Sequence, residues 1–290
     1  MSRIRSRLVQ GLLGGCLLIA HAAADGAGRI AIIIDDLGYQ QALDRAVMAL
    51  DTRIAVAVIP DGPAALPAAE EALTQGREIL IHLPLTHYSG ACEAIHCPRR
   101  EWSPERMRQH LAWAARQVPG AVGLSNHQGS KFTADTAASR RLIEGLVLLN
   151  NERQHPLFVV DSRTTALSQL AHEAARAGIG QAQRRVFLDH ERNPEAIEMA
   201  WRRLLQHARS DGYALAIGHP YPETIAFLAQ AIPSLSDGEP TLVPVSVLVE
   251  QVDRARPSTG LLGAGGAYPS APGLGGQSRP PTSGTDPDQG

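Results

Sequence analysis

Aromatic side chains are scarce in this chain: Phe, Trp and Tyr together make up 4% of its 290 residues. That scarcity argues against an extended stacking platform for sugar rings or bases. An excess of charge of one sign is also missing. The formal net charge is -2 and the pI is near 6.6, so the bulk composition supplies no electrostatic footprint for nucleic acid or for an anionic membrane. Cysteine is limited to Cys16, Cys92 and Cys97. Cys92 and Cys97 lie in a polar stretch with no second pair to complete a four-ligand zinc site. In an oxidising compartment they can instead close a small disulfide loop. A glycine-rich phosphate loop is absent, because Asp35-Asp36-Leu37-Gly38 follows the first apolar run where a nucleotide-binding fold would carry GxGxxG or GxxxxGK. Cofactor-dependent redox chemistry therefore has little support. The chain also lacks a GxSxG elbow, which leaves Ser130 and Ser162 as weak nucleophile candidates.

What is present begins with a leader. Arg3, Arg5 and Arg7 precede an apolar stretch at 8–20, and Ala22-Ala23-Ala24 offers small residues for cleavage before Asp25. Residues 1–24 read as a secretory signal peptide, which predicts an exported, periplasmic protein. The stretch is too short and too rich in glycine for a membrane span, so none is expected in the mature chain. At the other end, residues 256–290 are dominated by Gly, Pro, Ser and Thr. Such a segment has little apolar surface to set against its ordering entropy and reads as a disordered tail. The body, 28–253, shows no internal repeat and no long linker, which favours a single domain whose core needs no disulfide or metal in order to fold.

Within the body, short apolar runs alternate with amphipathic stretches. The runs at 29–34, 54–59, 78–83, 121–124, 156–160, 185–188, 213–217 and 242–245 are rich in Ile, Val and Leu with little polar alternation, as in strands buried on both faces. Helical periodicity marks 39–50, 104–117, 136–150, 168–177, 194–210 and 221–232. Ser103-Pro104 supplies one start signal, an N-cap residue followed by proline in the first turn. Strands separated by crossovers predict a mostly parallel sheet, and eight in this length predict an α/β fold of the closed or nearly closed (β/α) barrel type. An open doubly wound sheet is the alternative. Either architecture gathers its ligand site at the carboxyl ends of the strands.

Those ends carry an unusual set of groups. Asp35-Asp36, Asp61, His82, Asn126-His127, Asp161-Ser162, Asp189-His190 and His219 each follow or finish a strand. One such aspartate is an ordinary helix cap, and one such histidine an ordinary packed side chain. Convergence of Asp35, Asp36, His82, His127, Asp161, Asp189 and His219 is harder to assign to capping, because buried Asp and His need partners. A shared divalent metal would partner several together. Imidazoles with a carboxylate suit zinc or another divalent transition metal, whereas calcium and magnesium would call for more oxygen ligands. Such a metal makes water more acidic and polarises a carbonyl. A carboxylate beside it serves as general base, and the adjacent pair Asp35-Asp36 allows that division of labour. His87 has HxxxxH spacing to His82, but Pro84 between them breaks a helix, which favours His82 alone. His96, His110, His155, His172, His190 and His207 read as solvated surface groups, and Trp102, Trp113 and Trp201 as packing residues.

Taken in order, the segments Ile32-Ile33-Ile34-Asp35-Asp36-Leu37-Gly38, His82-Leu83-Pro84, Ser125-Asn126-His127-Gln128-Gly129-Ser130, Phe158-Val159-Val160-Asp161-Ser162, Val186-Phe187-Leu188-Asp189 and Ile217-Gly218-His219-Pro220 resemble the divergent polysaccharide deacetylases. The resemblance implies a distorted (β/α)7-8 barrel and a metal site, of zinc or another divalent transition metal, on Asp36, His82 and His127. Asp35 would be the base, with Asp161 and His219 as further catalytic groups. Asn126, Ser162 and Asp189 would contact substrate. The chain departs from the ordinary deacetylase pattern, in which the two metal-binding histidines share one helix, because His82 and His127 belong to different strands. The function implied is metal-assisted removal of acetyl groups from a polysaccharide or cell-wall glycan. Two other readings compete with it. One is a non-catalytic glycan-binding or envelope scaffold protein that keeps the barrel. The other is a metal-free glycosidase using a carboxylate pair such as Asp35 with Asp161.

Overall fold

The computed structural model describes residues 27–255 apart from 89, 91 and 93–95. The expected signal peptide and tail lie outside the described residues. The element order is β1 (Arg29–Leu37), α1 (Gln41–Met48), β2 (Ala55–Val58), α2 (Ala65–Thr74), β3 (Ile79–Leu85), α3 (Pro104–Gln117), β4 (Gly123–Gln128), α4 (Ser130–Thr133), α5 (Thr136–Asn150), β5 (Phe158–Asp161), α6 (Leu170–Arg176), β6 (Gln181–Gln183), β7 (Val186–Phe187), α7 (Pro194–Asp211), β8 (Tyr213–Gly218), α8 (Pro222–Ala231), β9 (Thr241–Leu242) and α9 (Val245–Ala255). Local signals start several helices as expected. The Ser103 hydroxyl accepts the Arg106 N–H at the head of α3, and Asn193 caps α7 with Pro194 next to it.

All strand pairs are parallel, in the order β6-β5-β4-β3-β2-β1-β8-β7, with β9 also paired to β1. The sheet curls into a half-barrel wrapped by helices, a distorted (β/α)7-8 barrel. Its seam is crossed by the chain and not by a ladder. Between β6 and β7, the Arg184 N–H donates to the Asp161 carbonyl, while the Arg185 N–H donates to the Leu215 carbonyl on the opposite edge.

The two faces of the sheet are packed differently. Outward-facing Ile30, Ile32, Ile34, Val56, Val58, Ile79 and Ile81 join the large core beneath the surrounding helices. Inward-facing Ala31, Ile33, Ala55, Ala57 and Leu80 form a second core, into which α9 inserts Val245, Leu248 and Val249. Small inner side chains make room for that helix, so α9 fills one end of the barrel and the carboxyl ends of the strands stay open.

Three differences from expectation have physical causes. β6 reads Gln-Ala-Gln and carries no apolar run. The alanine-rich α2 (ALPAAEEALT) shows weak contrast between its faces. The run expected as a strand at 242–245 ends after Leu242, since Pro244 has no N–H to give a ladder, and Val245 opens α9.

Candidate metal centre and cleft

Strand parity aims the site. In β1, Ala31 and Ile33 face inward, and two residues on is Asp35. In β3, Leu80 is followed on the same face by His82, and in β4 Ser125 is followed by His127. Asp36 would face outward by this count. Instead its backbone turns left-handed, with φ 66°, where β1 slips register against β2 between Ile34 and Leu37. The irregularity turns two consecutive carboxylates toward one cleft. Gln128 (φ 53°) and Arg163 (φ 46°) are the other non-glycine residues with positive φ among the described residues. Each such conformation costs roughly 1–2 kcal/mol, and all three fall at strand ends around the same opening.

At its centre, Asp36 Oδ1 lies 2.8 Å from His127 Nδ1 and 3.2 Å from His82 Nε2. Asp35 Oδ2 stands 3.5 Å from His82 Nε2. The other ring nitrogen of His82 meets the Ser125 hydroxyl at 2.7 Å, which fixes the buried ring. Across the cleft, His219 Nε2 is 3.9 Å from Asp36 Oδ2, and its Nδ1 is 2.9 Å from Asp189 Oδ1. Asp189 also accepts the His219 backbone N–H and the Thr224 hydroxyl.

The two aspartates titrate in opposite directions. Burial raises the Asp35 pKa above the usual carboxylate range, against the lowering influence of His82 and His219. Burial also opposes the charged form of Asp36, but hydrogen bonds from His127 and His82 outweigh it and hold that carboxyl well below the usual range. For His219, burial disfavours the imidazolium. The Asp189 hydrogen bond and charge, with help from Asp35 and Asp36, overcome this and raise the pKa.

Asp35, Asp36, His82, Asn126, His127, Ser162 and His219 all line one cleft of about 790 Å3. Past Asp36, His127, Gln128 and His219 the cleft continues into a second lobe of about 510 Å3, flanked by Tyr39, Tyr221 and Cys92. Cys92 and Cys97 are joined as a disulfide.

A sequence model of the divergent polysaccharide deacetylases matches residues 32–249. The chain belongs to the divergent polysaccharide deacetylase family. It is 35% identical over 248 residues to the Escherichia coli K12 protein YibQ, which is described as uncharacterized, covering 85% of this chain and 76% of that protein. An uncharacterized Haemophilus influenzae protein is 34% identical over 209 residues, covering 72% of each. Among solved structures, the uncharacterized protein ATU2773 from Agrobacterium tumefaciens C58 superposes with a TM-score of 0.68 at 21% identity, covering 77% of this chain and 89% of that one. This last likeness speaks to the fold.

In this family member, Asp36, His82 and His127 each offer one donor atom, all within 4.8 Å of one another. Two imidazoles and one carboxylate with an open side match the donor set of a divalent transition metal. The buried Oδ1 of Asp35 has no hydrogen-bond partner, as expected for an atom facing a site that holds water or a ligand. The residues fit such an ion.

Two sequence assignments need correction. Asp161 does not face the cleft. The inward residue of β5 is Val160, so Asp161 points to the helical side and accepts from the Arg163 N–H, the Ser168 hydroxyl and the Ala171 N–H. That is a turn-and-cap role, and it removes the geometric basis for Asp161 as a catalytic group or as a glycosidase partner of Asp35. Asp189 has its carboxylate fully covered and committed to His219 and Thr224, so it orients His219 and does not line the cleft. Asn126 lines the cleft, but its amide bridges the Ser162 N–H and the Gln128 carbonyl, tying β4 to the loop after β5. Ser162 presents a buried hydroxyl without a partner.

Among the histidines read as surface groups, His110 is buried, and His190 and His207 line the cleft. Arg184, also a cleft residue, was not singled out from sequence, since a lone Arg-Arg pair between short strands gives no signal. Trp113, Trp102 and Trp201 do pack, against His96, His110 and Phe227 respectively.

Proposed function

We propose that this protein is a metal-dependent hydrolase that removes N- or O-acetyl groups from a cell-envelope polysaccharide. The observation that carries the reading is the convergence of Asp36, His82 and His127 on one point, with Asp35 beside it and an oriented His219 opposite, in an open cleft. A divalent ion held by those three residues, zinc being the proposed one, would supply Lewis acidity to the acetyl carbonyl and to water. The protein's own groups divide the remaining work. Asp35, adjacent to the donor cluster and not part of it, takes the proton from the attacking water. Asp189 fixes the Nδ1 edge of His219, so that Nε2 faces the cleft to deliver a proton to the leaving nitrogen or oxygen. Ser125 holds the His82 ring in its aim. The Ser162 hydroxyl and the Asn126-braced loop border the place where the sugar enters.

The leader-like residues 1–24 support export to the periplasm as part of the same proposal. No helix among the described residues is long and apolar enough to cross a membrane.

The test is metal analysis of the purified chain together with acetate release from acetylated bacterial glycans. One equivalent of zinc and chelator-sensitive release are expected. Release that survives exhaustive chelation would overturn the metal role. Metal and glycan binding with no release from any acetylated glycan would leave the binding-protein reading in its place.

A further inference from the structure

Beyond the metal candidate, the larger lobe of the cleft runs over the barrel seam, and its chemistry changes there. The chain crosses the seam as Arg184-Arg185, and both residues line the cleft. Arg203 and His207 reach it from α7, and His190 from the loop after β7. Apart from Asp35 and Asp36 at the metal end, no carboxylate among the described residues lines this lobe. The lobe on the other side of His127 and His219 presents Tyr39, Tyr221 and Pro220, and no lysine or arginine among the described residues lines it; Arg192 lies over the Tyr221 ring and is paired with Glu223.

Arg184 is the anchor of the basic lobe. It is half-buried, stacked over the Phe187 ring at 4.9 Å, and its hydrogen bonds go to the carbonyls of Ser162 and Arg163. Backbone carbonyls orient a guanidinium without neutralising it. Arg203 is exposed, and its side chain makes no hydrogen bond or ion pair among the described residues. Arg185 pairs only with the exposed Asp211. Burial, the larger influence, opposes the charged form of Arg184, while Asp35 and Asp161 favour it, and neither carboxylate is in a direct ion pair with it. A partly desolvated cation without a paired counter-charge is unfavourable until an anion arrives, and a guanidinium fork grips carboxylate or phosphate oxygens two at a time. A neutral glycan would leave this arrangement unused.

We propose that the substrate is an acidic glycan, and that Arg184 and Arg203 hold an anionic substituent, carboxylate or phosphate, on a sugar close to the acetylated one. The inference rests on the deacetylase reading for the placement of the acetyl group at Asp36, His82 and His127. It makes Arg184 and Arg203 specificity determinants, with the tyrosine-lined lobe left for an uncharged part of the chain.

The experiment is calorimetric titration of the full chain with acetylated oligosaccharides of matched length in neutral, carboxylated and phosphorylated forms, at low and at high salt. At low salt at least one acidic form is expected to bind about tenfold or more tighter than the neutral one, with the advantage shrinking as salt rises. The form that wins identifies the anion. R203Q should bring the acidic-to-neutral affinity ratio toward one. R184Q should do the same, but its backbone bonds make a folding defect possible, so R203Q is the deciding variant. Equal binding of all three forms, no binding of any, or a preference that survives R203Q overturns the inference. Acetate release from the same oligosaccharides separates the two readings. An acidic preference without release from any form removes the deacetylase and keeps the anion site. Release from the neutral form alone does the reverse.

Discussion

Two clusters of histidine and aspartate sit on this barrel, and they do opposite things. In the first, Asp36, His82 and His127 bring single donor atoms together at 2.8 and 3.2 Å around an open cleft. In the second, His96, Trp113, His110 and Trp102 pack as successive rings, with centroids 4.3, 5.3 and 5.5 Å apart. Asp61 meets His96 there at 2.6 Å. The buried Nε2 of His110 has no partner, and burial, opposed by Asp61 and reinforced by His96, pushes its pKa down to about 4. Its imidazole is packed as a neutral ring. The residue types are alike in the two places. Convergence of ligand atoms on open space makes one a candidate for chemistry, and packing of rings makes the other a structural joint between α3 and the loop closed by the Cys92–Cys97 disulfide.

The sharpest way to break this contrast is substitution in the first cluster. Asp36→Ala or His127→Ala should abolish zinc binding and lower acetate release by roughly 10⁴-fold, about 5 kcal/mol of barrier. Unchanged zinc content in purified His127→Ala protein would refute the ligand set. Asp35→Asn should retain the metal and lower kcat by about 10³-fold, and a mutant that loses the metal as well would make Asp35 a ligand and not a base.

In the second cluster the order of effects reverses. Trp113→Ala should cost roughly 3 kcal/mol of stability in urea unfolding, while the activity of the folded fraction stays within about twofold. A large loss of turnover at unchanged stability would show that the ring stack serves the cleft. The smallest effect is a pH dependence. The folded-state pKa of His110 lies below its unfolded value, so the unfolded chain binds the extra proton as pH falls. Stability is complete above about pH 6.5 and declines toward pH 4, by roughly 2 kcal/mol at pH 5. His110→Leu should show a correspondingly shallower decline between pH 7 and 5. Parallel curves for the two proteins would exclude His110 as the titrating group.

Much of the barrel was legible because strands buried on both faces leave continuous apolar runs, as Ile30–Ile34 and Ile79–Leu83 do. The rule that parallel sheets collect their chemistry at strand ends marked the seven candidate groups, and the resemblance to the deacetylase family narrowed the metal donors to Asp36, His82 and His127. The same rule misplaced Asp161, because it ignores parity: β5 ends with its aspartate on the helical side, and three unremarkable local bonds of the following turn absorb it. Parity also misses what happens at Asp36, where a left-handed residue and a register slip override alternation. His110 looked solvated because an isolated histidine among Arg and Gln gives no sign that two tryptophans enclose it. The role of Asp189 was hidden in the sequence, since both of its oxygens are taken by His219 and Thr224 only once the chain has folded.

The helix that plugs the inner wall is the last stretch of the body to be synthesised. Until residues 245–255 dock, the trough lined by Ala31, Ala55 and Ala57 has nothing to bury against, and the strands hold an exposed apolar concavity. A chain in which this helix has not docked therefore presents an adhesive apolar surface, so the last helix of the body also guards the barrel against aggregation.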